Sequence, residues 1–437
     1  MMDTAMDTAP YPFIITLVCR DYVIFCKLEY ETPVTQMNKV LIILALLFQI
    51  SCEKVETIEN SSSYIFAWTK DENGWDSEFL TIINANPKDK DYGSLIKTLP
   101  VGYNNLNAHH SEHRFHESKT LFTNGFMGGR SFIFNLEDPY NPELITNFTN
   151  MQKYTFPHSF ERLPNGNVLA TFQTIGQGNK KEGGLVEITS KGDYVRSSIS
   201  SDPDVEDFIR PYSLAILPDL DRVVSTSADM KEADLSRVVQ VWRLSDLSLI
   251  KTIPLEPGPR GNEHYDPAEP RVLSDGKTVL ISTFFCGLYR ITNLETIDPN
   301  AEWVYSFAFN DKYDCAIPAV NGDYWIQAVG SKTSLVSLDV SNPSKPVKAN
   351  ELKFKKGEWP HWIAVEPNGQ RIIVTGNNRL KNKLMIVDFN SKTGEMSFDK
   401  NFKDKRTGEV GFSFDRFDWP HGNTDSGVPH GSVFSIK

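Results

Sequence analysis

The chain has 437 residues, of which 40% are hydrophobic and 23% charged, with 27 glycines and 25 prolines. These ordinary proportions exclude collagen-like, coiled-coil and wholly disordered chains. Lys+Arg 45 against Asp+Glu 56 gives a net charge of −11, and no basic stretch supplies the clustered cations that phosphate neutralisation needs, so no nucleic-acid partner is expected. Length alone allows two or three domains or one large all-β body.

The first fifty residues read as an address. A single positive charge at Lys39 precedes the apolar run Val40–Ile50, followed by Ser51 and Cys52. The run is too short to span a bilayer comfortably and suits a signal-peptide core. A small residue followed by cysteine at its end resembles a bacterial lipoprotein signal over 37–51, with Cys52 the lipidated first residue, although Gln49 stands where Leu is commoner. Residues 1–36 are then an upstream extension from a misassigned start, and 52–61 a short linker. The alternative, a membrane anchor over 11–51, is interrupted by Asp21, Lys27, Glu29 and Glu31. The processed chain keeps a net charge of −9. The expected location is the cell envelope of a bacterium, on a periplasmic or outer-membrane surface, with the membrane reached through the lipid on Cys52.

From residue 62 onward the pattern repeats. Segments rich in Val, Ile, Phe, Tyr and Thr alternate with period two and are separated by Asn-Gly, Asp-Gly or Gly-Gly, as strands and hairpins require, and no long stretch shows a helical period. HSFERLPNGNVLATF begins at His158, YSLAILPDLDRVVSTS at Tyr212, AEPRVLSDGKTVLIST at Ala268, AIPAVNGDYWIQAV at Ala316 and HWIAVEPNGQRIIVTG at His361, with HHSEHRFHESKTLFTNG at His109 before them. Spacings of 45 to 56 residues, with about four strands per unit, predict a β-propeller. Six starts and a terminal unit make seven blades over 62–437. Tyr64–Trp68 lacks a preceding hairpin and VPHGSVFSIK has nothing after it, so the two ends share a blade and close the ring.

All nine histidines lie in this region, and four follow proline: His158, His361, His421 and His430. Innermost strands of a propeller start at the mouth of the central channel, so His109, His110, His158, His361, His421 and His430 become candidate neighbours there. Several neutral imidazoles suit copper, iron or zinc, and the absence of nearby cysteines disfavours a Cys-rich centre. Equally, the same residues serve as structural hydrogen-bonders under the channel rim. His113 is a candidate partner for a ligand, because the zincin motif it resembles needs a helix. Glu269, in an acidic loop with Glu263 and Asp266, could complete a mixed site. Cys315 is a soft ligand, a redox thiol or a plain structural thiol, and Cys286 a buried small hydrophobe. The cysteines at 19, 26, 52, 286 and 315 are too scattered for a disulfide framework.

The block YIFAWTKDENGWDSEFLTIINANPKDKDYGSLIKTLPVG, the pair His109-His110 followed by SEH, FPHSFERLPNGNVLATF, RPYSLAILPDLDRVVST, VVQVWRLSDLSLIKTI and the late VPHGSVFS together resemble the selenium-binding protein and methanethiol oxidase family over nearly all of 62–437. The resemblance implies a seven-bladed propeller, monomeric here, and in enzymatic members a copper-dependent oxidation by O₂ of methanethiol to formaldehyde, hydrogen sulfide and hydrogen peroxide. The positions matching the family's copper ligands are His109, His110, His158 and His430; no further catalytic residue is assigned, and another transition metal stays open. Gly431 stands where an acidic residue commonly follows the late histidine, and SEHRFHES lacks the cysteine linked to selenium in animal members. The chain resembles the compact bacterial relatives, whose substrates need not be methanethiol, and the substrate expected here is methanethiol or another small thiol or sulfur compound. The other reading is a non-catalytic, surface-anchored binding module, because a propeller does not fix a function.

Overall fold

The computed structural model describes residues 13–19, 22–28, 61–176, 181–205, 209–230, 235–307, 315–376 and 382–436. The expected signal segment 37–51, Cys52 and nearly all of the 52–61 linker lie outside the described residues. Within 1–36, Phe13–Cys19 and Tyr22–Leu28 pair antiparallel, from Phe13 opposite Leu28 to Cys19 opposite Tyr22. Residues 61–437 form a separate compact unit.

That unit is a seven-bladed β-propeller built of antiparallel sheets. The innermost strands of blades 1 to 6 are Ala108–Ser111, Tyr154–Arg162, Pro211–Leu217, Pro267–Val272, Cys315–Asn321 and Trp362–Val365. In each, three further strands follow in chain order; blade 2 adds Asn150–Met151 and blade 6 adds Phe412–Ser413. Tight turns join the first two strands. Gly166, at φ +83°, occupies the left-handed position in the blade 2 turn, and Asp221, at φ 56°, fills a left-handed turn position in blade 3, where a short polar side chain tolerates it.

The closing blade takes its innermost strand, Gly427–Phe434, from the C-terminus and the other three, Tyr64–Asp71, Phe79–Asn84 and Leu95–Pro100, from the start of the propeller. Ile65 pairs with Phe434 and Asp71 with Gly427, as the two incomplete end units require. Apolar faces then pack blade against blade. Phe66, Trp68, Leu80 and Ile82 meet Leu121, Phe132 and Phe134 of blade 1. On the other side, Ile65, Phe79, Ile83 and Phe434 meet Ile373, Leu384 and Ile386 of blade 6.

One expectation is overturned. Cys286, in the turn after the second strand of blade 4, and Cys315, the first residue of blade 5, form a disulfide. Their sequence separation of 29 is taken up by the outer half of a blade and the crossing to the next, which is why scattered cysteines meet. Cys315 is therefore neither a thiol ligand nor a structural thiol, and Cys286 is not a free hydrophobe.

Removing residues 428–437 takes away Val428, Val433 and Phe434, all buried, and exposes the edge of Tyr64–Asp71. Since each large buried side chain lost costs about 2–5 kcal/mol, the whole propeller should lose its cooperative melt by circular dichroism. A truncated chain that melts like the parent contradicts ring closure as a stabilising contact.

Candidate metal centre

The centre begins as an interruption of regular pairing. Register shifts fall between Ala108 and Ser111, Pro157 and Phe160, Pro211 and Leu214, Pro267 and Glu269, and Cys315 and Pro318. Another falls between Pro429 and Ser432 in the closing blade. A bulge leaves residues unpaired and re-aims their side chains. The residues so released include His109 and His110 of blade 1, His158 of blade 2, Tyr212 of blade 3, Ala268 of blade 4, Ala316 of blade 5 and His430 of the closing blade.

In four blades one polar side chain on the second strand takes up backbone groups at the starts of innermost strands. Asn124 accepts the amide of His110 at 2.7 Å and donates to the Pro157 carbonyl at 3.0 Å. Thr171 accepts the Ser159 amide at 3.0 Å and donates to the Tyr212 carbonyl at 2.8 Å. Thr226 does the same for the Ser213 amide and the Ala268 carbonyl, at 3.1 and 2.6 Å, while Thr375 donates to the His430 carbonyl at 2.8 Å. Each histidine-bearing bulge is thus tied to a neighbouring blade. Sequence reasoning missed these residues, although four repeats carry the signal: an Asn or Thr near the end of an apolar strand, as in LFTNG, VLATF, VVSTS and IIVTG.

Four imidazoles gather as a result. Ring centroids of His109 lie 4.4 Å from those of both His110 and His430, and His110 lies 4.4 Å from His158. Ligand nitrogens of His109, His110 and His158 fall within 4.8 Å of one another. All four rings are buried. His158 Nδ1 faces the Tyr212 carbonyl at 2.8 Å, so Nδ1 carries the proton and Nε2 presents a lone pair that meets no described hydrogen-bond partner. His109 Nδ1 also lacks a partner among the described residues, and His430 faces the His109 backbone without a well-formed hydrogen bond at either nitrogen. Burial, reinforced by neighbouring histidines, holds His109, His110 and His430 well below the usual imidazole range; burial brings His158 down to about 4. The rings are neutral at pH 7.

Buried polar atoms left without partners cost about 1–3 kcal/mol each, and several converging here is an arrangement a cation repairs. Neutral imidazoles suit copper, zinc, iron or nickel, so His109, His110, His158 and His430 fit a transition metal. Tyr212 closes one side: its ring packs on His158 with centroids 4.1 Å apart and its hydroxyl lies 3.4 Å from His110 Nε2. Phe126 packs near His109 and His158, and Phe284 against Tyr212. Both Tyr212 and Phe126 escaped the sequence reading, Tyr212 despite occupying a repeat start.

Of the other candidates, His361 borders the group, and His113, Glu269 and His421 take other partners. His361 precedes the innermost strand of blade 6, with its ring 4.8 Å from that of His430. His113 stacks on Trp362 at 4.6 Å, sits 3.0 Å from Arg271 and 3.6 Å from Glu269, and is brought down to about 4 by burial and then by Arg271. Glu269 is held by Ser213 and Arg271, each at 2.8 Å, and falls to about 2: burial would raise it, and the Arg271 charge with its other partners more than offsets that. It anchors His113 and the Tyr212 strand. His421 is elsewhere: it bonds Thr98 at 2.7 Å and packs on Phe79 in the closing blade. The Trp-Pro-His pattern there heads only the short pair Asp418–Trp419 and Gly422–Asn423, not an innermost strand.

Gly431 has a steric cause. A Cβ there would lie 2.3 Å from the Ser111 amide nitrogen and 2.8 Å from the His109 carbonyl oxygen, so only glycine lets the C-terminal strand approach the His109–His110 bulge this closely. Gly431→Ala should therefore part these strands, lowering the melting temperature and weakening metal binding about tenfold or more by titration. Unchanged affinity would show that the close approach does not set the ligand geometry.

No family model matches the chain. Over 143 residues it is 32% identical to a methanethiol oxidase from Hyphomicrobium sp, a match spanning 32% of this chain and 32% of that protein. Among solved structures, a hypothetical selenium-binding protein from Sulfolobus tokodaii superposes with a TM-score of 0.70 at 15% identity, covering 86% of this chain and 94% of that one. The periplasmic gluconolactonase of Pseudomonas aeruginosa follows at 0.58 and 12% identity, covering 86% and 99%. These structural likenesses carry the fold. Together with the sequence match they uphold the resemblance of this propeller to the selenium-binding protein and methanethiol oxidase family.

Proposed function

We propose that the protein is a copper-dependent oxidase of methanethiol or another small thiol, with His109, His110, His158 and His430 as the ligands. The observation that carries this reading is the convergence of neutral, buried imidazoles with unpartnered lone pairs on three blades. Bound there, copper would supply one-electron chemistry with O₂. The chain's own residues do the rest. The Tyr212 carbonyl fixes the His158 tautomer. Ser159 lies 3.1 Å from His110 Nδ1 and holds that ring's orientation. Phe126, Tyr212 and Phe284 exclude bulk water on one side, a setting for a small, weakly polar thiol.

Location in the cell envelope, through lipid on Cys52, draws support from the Cys286–Cys315 disulfide, since such bonds persist in oxidising compartments. Mass spectrometry of the cell-made protein should find an acylated N-terminus at Cys52; an unprocessed chain without lipid contradicts the anchor.

For the metal, the full chain reconstituted with Cu(II) should retain near-stoichiometric copper by elemental analysis, and His158→Ala or His430→Ala should lose it. The loaded protein should consume O₂ with methanethiol. No bound transition metal after reconstitution overturns this reading and favours the binding module; retained copper without O₂ uptake overturns the substrate alone.

A further inference from the structure

Beyond the histidines, the innermost strands line a cavity of about 260 Å³, several times the roughly 30 Å³ that a water occupies. Its lining divides by chemistry. Ala215, Ile216, Val320 and Ile363 make an apolar wall, whereas Glu161, Arg114 and Arg271 bring charge. Arg271 is already committed to Glu269 at 2.8 Å and to His113 at 3.0 Å. Glu161 is half-buried and Arg114 exposed, and neither side chain makes a hydrogen bond or ion pair with a described residue.

Glu161 bears the consequence of that isolation. Burial pushes its carboxyl up to about 7, against the pull of Arg271 and Arg114, with Glu112 and Glu269 adding to the rise. A half-buried carboxylate that meets no donor from the protein favours a guest that donates to it. The charges around the cavity constrain that guest. Arg271 balances Glu269, and Arg162 pairs with Glu112 at 2.6 Å, which leaves one carboxylate and one guanidinium uncommitted. A bare amine would satisfy Glu161 but meet the guanidinium groups unaided. A bare carboxylate would satisfy Arg114 but face Glu161.

We propose that this cavity binds a small aliphatic α-amino acid as its zwitterion, its ammonium on Glu161, its carboxylate on Arg114 and its side chain on the Ala215–Ile216 and Val320–Ile363 wall. The site is distinct from the histidine cluster and does not depend on a metal there. Nothing in its chemistry requires a reaction; its role is recognition.

Isothermal titration of the full chain with L-leucine, with n-butylamine and butyrate as half-ligands, tests this. L-leucine should bind, and each half-ligand should bind about tenfold more weakly or worse. Glu161→Gln and Arg114→Ala should each weaken L-leucine about tenfold or more, with the parent's copper content unchanged. Ala215→Leu, which fills the cavity without touching a charge, should abolish binding, and a parent-like melting temperature in all three variants shows that each loss is not a fold defect. No heat with L-leucine, or binding that survives Glu161→Gln and Ala215→Leu, overturns the proposal.

Discussion

The pairing of Gly427–Phe434 with Tyr64–Asp71 is the contact on which the rest of the molecule depends. It completes the last blade, removes two open sheet edges and sets His430 against His109, more than three hundred residues away in the chain. Closure is reinforced at the seam with blade 6. Arg371 pairs with Glu366 there, and reaches the Ala85 carbonyl at 2.8 Å and the Tyr92 hydroxyl at 3.0 Å in the closing blade. Glu366 in turn accepts the Ser62 amide at 2.5 Å. A buried pair so fully hydrogen-bonded on both sides holds register where a partly satisfied one would cost stability.

Stability and chemistry are coupled through the bulges. Each gives up ladder hydrogen bonds at the start of an innermost strand, and Asn124, Thr171, Thr226 and Thr375 restore them across blade boundaries. The strain of aiming imidazoles inward is thereby absorbed by the same side chains that bind one blade to the next. Gly431 belongs to this arrangement, because the approach of the C-terminal strand to the His109–His110 bulge leaves no room for a Cβ.

The fold was legible because a propeller writes its local code repeatedly. The starts at His109, His158, Tyr212, Ala268 and Ala316 all fall within innermost strands, and His361 stands one residue before its strand. The four-histidine group was legible only in part. Position in the repeat nominated His109, His110, His158, His361, His421 and His430 alike, and it took three-dimensional packing to send His421 to Thr98. The disulfide escaped for a similar reason: Cys286 sits in a turn and Cys315 at a strand start, and only the stacking of blades 4 and 5 brings them together. Tyr212 and the Asn/Thr series carried a sequence signal that histidine counting did not weigh.

On the proposed function, ring closure assembles one metal centre from histidines at both ends of the propeller. X-ray absorption at the copper edge, on the full chain loaded with one equivalent, tests it most directly. The expected spectrum is an all-nitrogen first shell with imidazole multiple scattering, which loses an imidazole in His430→Ala. A sulfur-containing shell, or a spectrum that His430→Ala leaves unchanged, would contradict it.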